Sequence, residues 1–119
     1  MSYFTLKIIH LTGLALVFMG LAGVLALKMA GDAPFKKRRL FHLSHGLGLI
    51  LLLASGIALT AQLGLHPLPG WVKAKYGVWL LAGAAMAAAS RLGRFAGPLL
   101  TLFAGLVATA AWLAITKPF

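Results

Sequence analysis

The side chains in this sequence best equipped for chemistry are four histidines, His10, His42, His45 and His66, and two lysines, Lys73 and Lys75. A neutral imidazole nitrogen can ligate haem iron or another metal, relay a proton, or hydrogen-bond a neighbouring helix. His10 is the prime candidate. It sits two residues inside a long apolar run, and ionisable groups in such runs are kept mainly where they pair, bind or conduct. A ligand role and a plain structural hydrogen bond both stand open for it on this reading. His42 and His45 lie three apart, hence near one helical face, where a solvated interfacial role is expected. His66 falls in the stretch His66-Pro67-Leu68-Pro69-Gly70, a loop in which it is expected to meet water.

Much chemistry is excluded by composition. Without cysteine there is no disulfide, thiolate metal site, iron–sulfur cluster or cysteine nucleophile. Asp32 is the one acidic residue against eleven Lys and Arg, which leaves no carboxylate pair, no Ser-His-Asp set and no carboxylate inside an apolar run to drive proton-coupled transport. So basic a balance suits either a nucleic acid or an anionic membrane. The cations lie between or at the ends of apolar runs, and no polar segment is long enough for a nucleic-acid-reading module. Membrane lipids are therefore the expected partner, and nucleic acid is not.

The elements that must position these groups follow from hydropathy. Hydrophobic residues make up 61% of the 119 positions, more than a water-soluble domain carries. A bilayer core about 30 Å thick needs about 20 apolar residues in a helix. Four windows meet that length, 8–27, 47–65, 71–90 and 95–115, and they predict helices over about 5–29, 41–65, 71–91 and 95–116 in one all-α domain. Backbone in hydrocarbon must satisfy its own hydrogen bonds, and runs without alternation are not strands. The connectors are short, so successive helices run antiparallel. The expected fold is an integral membrane up-down four-helix bundle, with 8–27 retained as a span because it exceeds the signal-peptide run of about 7–15 residues.

Orientation follows from the cations near span ends, which stay on the cytoplasmic side. Lys28, Lys36, Lys37, Arg38, Arg39, Arg91 and Arg94 lie at one end, and Lys7, Lys73, Lys75 and Lys117 at the other. Both termini are expected outside.

In that arrangement the first and third helices are parallel, and Lys73 and Lys75 share His10's side and depth. A cation beside an imidazole in apolar surroundings suits an anionic cofactor, such as porphyrin propionates or a quinone oxygen. The alternative is that both lysines reach for headgroups beside Trp71 and Tyr76. His45 is expected about 25 Å from His10 along the normal, too far to share one iron. Gly13 and Gly20 follow His10 as Gly48 and Gly56 follow His45, so each helix offers a histidine beside a grooved face, and Gly13 joins the candidate site. The Ala- and Gly-rich third and fourth helices are expected to approach closely. The same small-residue faces could serve a homo-oligomer or a partner membrane subunit.

Three stretches carry a family resemblance: Lys7-Ile8-Ile9-His10-Leu11 opening the first helix, a basic connector leading into 49–56, and Pro69-Gly70-Trp71-Val72-Lys73-Ala74-Lys75 opening the third. The chain resembles the small bacterial membrane proteins that include the SirB family, the J-type protoporphyrinogen oxidases and the copper-resistance D proteins, with Trp71 and Lys75 matching a Trp-x-x-x-Lys element. The resemblance implies a b-type haem or other porphyrin held by His10, with Lys75 as second ligand or cofactor partner. It also implies a bacterial inner-membrane location, and in a Gram-negative bacterium the termini that the cation count puts outside are then periplasmic. The competing expectation is a non-catalytic accessory subunit of a larger membrane complex.

Overall fold

The computed structural model describes residues 2–31 and 34–119. Asp32, the lone acid, lies outside the described residues. The rest is all-helical: α1 Tyr3–Gly31, α2 Phe35–Gln62, α3 Gly70–Arg91, a 3₁₀ turn Gly93–Phe95, and α4 Ala96–Thr116. Three of these, α1, α2 and α4, are long and apolar enough to cross a membrane. The third apolar window does not reach that standard as a helix, because Lys73 and Lys75 sit in its opening turns and lower its hydropathy.

Prolines set the helix starts. Pro34 and Pro69 hold extended backbone immediately before α2 and α3, and neither supplies a side-chain cap. Pro98 stands in the first turn of α4, where its missing N–H leaves no helical bond unmade. The basic run Lys36-Lys37-Arg38-Arg39 lies inside α2, not in a connector, and places positive charge at the positive end of the helix dipole. Local electrostatics therefore oppose the position of that run, and its reason must lie outside the helix.

The tightest contact in the molecule is between α1 and α2. A Cβ at Gly48 would stand 2.6 Å from the Gly13 carbonyl oxygen and the Val17 nitrogen, and one at Gly20 would stand 2.7 Å from the His45 nitrogen. These are backbone atoms that cannot swing aside, so only glycine permits the spacing. The pairing of Gly13 with Gly48, and of Gly20 with Phe41 and His45, makes the two helices antiparallel. The small residues of α3 and α4 work differently from expectation. Gly97 and Gly105 have open space where a Cβ would go, and Gly83 meets only a Leu49 methyl at 3.8 Å. Alanines fill the core there instead: Ala85, Ala89 and Ala96 pack with Met86, Leu99 and Phe103 against Val17, Leu21 and Val24 of α1.

α2 adds only partly buried apolar side chains to that core, Phe41, Leu49 and Leu52. Among its described side chains the buried positions are His45, Gly48 and Ser55, which share one face at intervals of three and seven residues. Side-chain bonds to helix carbonyls hold it to both neighbours. Ser44 Oγ donates to Leu16 O at 2.9 Å, and Trp79 Nε1 donates to Leu49 O at 3.0 Å. Each uses the second lone pair of a carbonyl already bonded within its helix.

Candidate functional site

His10 is held by α2. Its Nδ1 lies 2.8 Å from Ser55 Oγ, and Ser55 is itself buried, at 3% exposure. A serine hydroxyl has one proton, and Ser55 directs it to the Leu51 carbonyl at 2.6 Å. The hydroxyl is then the acceptor for His10, so the neutral ring carries its proton on Nδ1 and keeps its lone pair on Nε2. Gly56 completes the seat, since its missing Cβ would lie 3.5 Å from His10 Cε1.

His45 makes the opposite choice. Its Nε2 lies 3.0 Å from the Ala82 carbonyl and must donate to it. At 4% exposure it is a buried cross-link between α2 and α3, not the solvated interfacial residue expected from sequence. The two histidines are also nearer than expected. His10 stands level with Ser55, ten residues along α2 from His45, which corresponds to about 15 Å rather than about 25 Å. The Nε2 of His45 is committed to Ala82, so the separation and the hydrogen bond together keep the pair from sharing an iron.

A cavity of about 300 Å³ runs between all four helices, and His10 lies on its wall. Lys75 lines the same cavity, as do Lys7 and Lys117 near its mouth with Tyr3, Trp71 and Tyr76. Below them the wall is Leu14, Val17, Leu52, Val78, Leu106 and Phe103, and no lining residue bears a carboxylate. The register explains the juxtaposition. Trp79 meets α2 at Leu49, and Lys75 is one turn above it, which brings its level close to that of Ser55 and His10.

The remaining sequence candidates fall elsewhere. Gly13 is buried in the α1–α2 contact and does not line the cavity. Lys73 is exposed and also outside the lining. His42 is partly exposed on α2, and His66 is exposed before a cis peptide to Pro67; neither faces the cavity. Among the described residues no three His, Asp or Glu side chains come together as a metal site, so a metal ion would have no protein ligand set beyond His10. A haem needs fewer ligands, because its macrocycle supplies four.

A small all-helical chain whose helices wall an apolar cavity with a basic rim is the class these features define. The family described as "Invasion gene expression up-regulator, SirB" matches residues 3–118. The chain belongs to the SirB family. No curated protein and no solved structure matches it.

Proposed function

We propose that this chain is a bacterial inner-membrane protein of four spanning helices, arranged up and down, that holds a b-type haem or another porphyrin against His10 in a redox or haem-handling role. The observation that carries the reading is His10 on the wall of a basic-rimmed cavity with its Nδ1 2.8 Å from Ser55 Oγ; with the Ser55 proton given to Leu51, the Nε2 lone pair is the one left for a ligand. Outer-shell bonds of this kind are how proteins orient a ligating imidazole. The cavity volume of about 300 Å³ lies at the lower end of the range for cofactor sites. His10 would be a ligand to the iron, and Lys75 either a second ligand or a partner for a propionate. Bound haem supplies one-electron chemistry. The chain's own residues orient the ring, exclude water and balance negative charge.

Membrane insertion is supported by the three apolar helices and by the outward faces. Ile8, Met19, Ile50, Leu80, Leu102 and Ile115 are all more than half exposed. The longest dimension, 48 Å, suits a bilayer with its headgroups, about 40–45 Å thick. α3, too polar to qualify alone, is carried as the fourth span by its packing on the other three. The family's description concerns gene expression. In this reading any such effect runs through the membrane or its haem, because the longest described stretch outside a helix is 63–69.

The test is an absorption spectrum of the protein purified in mild detergent and supplied with haem. A Soret band that shifts on binding and is lost in His10→Ala supports the reading. Added haem that keeps the spectrum of the free pigment overturns it in favour of a non-catalytic subunit of a larger complex.

A further inference from the structure

The carboxyl-terminal segment meets the mouth of the cavity. After α4 the chain reverses at Lys117, which takes left-handed backbone angles (φ 48°, ψ 58°) while its N–H still caps Leu113 O at 3.0 Å. Glycine or asparagine is the usual residue for that conformation, so a lysine there needs a reason in its side chain. The side chain has one: its ammonium lies 5.6 Å from the centre of the Trp71 ring and lines the cavity. Two residues on, the Phe119 ring lies so close over Gly70 that any Cβ there would overlap it. Lys117 thus joins Lys7 and Lys75 around a cavity whose lining has no side-chain carboxylate to balance them.

Like charges converging on an apolar cavity repel one another, and the repulsion is relieved when a ligand brings the opposite sign. We propose that Lys117, Lys7 and Lys75 form a collar selecting amphiphiles with an apolar body and a carboxylate end, and that the seat of Phe119 on Gly70 holds Lys117 in it. Lys117 is then a specificity residue. The inference rests on reading the cavity as a ligand site, but not on iron.

The probe is a pyrene-labelled long-chain fatty acid and its methyl ester, titrated against the full chain in neutral-lipid nanodiscs. The acid is expected to bind more tightly than the ester. One lysine near a membrane surface is worth about fivefold in affinity, so K117Q should weaken the acid about fivefold and leave the ester unchanged. Phe119→Ala, which frees the tail without adding bulk, should reproduce that loss in part. Equal binding of acid and ester, no binding of either, or an unchanged acid-to-ester ratio in K117Q overturns the proposal. Haem titration of the same samples keeps the two readings apart. A Soret shift without acid selectivity sinks only the collar, and acid selectivity without a Soret shift sinks only the haem site.

Discussion

Two histidines, His45 buried and His10 partly buried on the cavity wall, differ in which ring nitrogen they spend. His10 gives Nδ1–H to Ser55, and His45 gives Nε2–H to the Ala82 carbonyl. Nitrogen-15 spectra of histidine-labelled protein should therefore show one ring protonated at Nδ1 and another at Nε2, assigned by loss of each signal in His10→Ala and His45→Ala. Finding His10 protonated at Nε2 would remove the lone pair on which ligation depends. The same pairing makes Ser55 a positioning residue. Ser55→Ala should leave the fold intact and lower haem affinity by about 10–100-fold, the usual effect of removing a bond behind a ligating imidazole. A normal affinity in that variant would mean that Ser55 does not orient the ring. Ser55 was not evident from sequence, where it reads as a polar exception in an apolar run. A signal was present: Ser55 falls on the face that also holds His45 and Gly48.

The governing element is the α1–α2 pair, and glycine sets its spacing. Gly48→Ala drives a methyl to within 2.6 Å of backbone on α1, whereas Gly46→Ala, two residues away on the same helix, meets nothing within 4 Å. Overpacking at a close contact costs about 1–3 kcal/mol, while alanine for glycine on an open helical face gains about 1 kcal/mol. Thermal unfolding in detergent should accordingly show Gly48→Ala less stable than the natural chain and Gly46→Ala no less stable. Equal melting of the two would mean that the helices are not held at this distance. Helix number and approximate extent were legible because apolar windows need only be counted. Which helices press closest was not, since the alanine-rich segments of α3 and α4 look as suited to it as Gly13, Gly20 and Gly48 do. Composition reports where close approach is permitted, and backbone geometry decides where it occurs. The tail shows the same division: Pro118 signals an end to α4, but nothing local points Phe119 at Gly70.

At the scale of the whole molecule, the cations are distributed by two rules at once. Seven lie at the end carrying the start of α2 and the α3–α4 turn, as retention in the cytoplasm would have it. Four lie at the other end and oppose that rule, yet three of them, Lys7, Lys75 and Lys117, line the cavity. They are accounted for by the cavity and need not be weighed as topology signals, which leaves Lys73 as the single exception. In the proposed membrane arrangement the basic run inside α2 would be explained in the same way, its opposition to the helix dipole, worth about 0.3–1 kcal/mol per charge, being offset by about 1 kcal/mol per cation near anionic headgroups. The cavity mouth should then open to the periplasmic side. The chain has no cysteine, so single substitutions give a clean readout. In intact spheroplasts a membrane-impermeant maleimide should label Ser2→Cys and His66→Cys, and should label Leu92→Cys only after lysis. The reverse pattern would turn the molecule over and open the cavity to the cytoplasm, where a different pool of anionic ligands would reach its lysines.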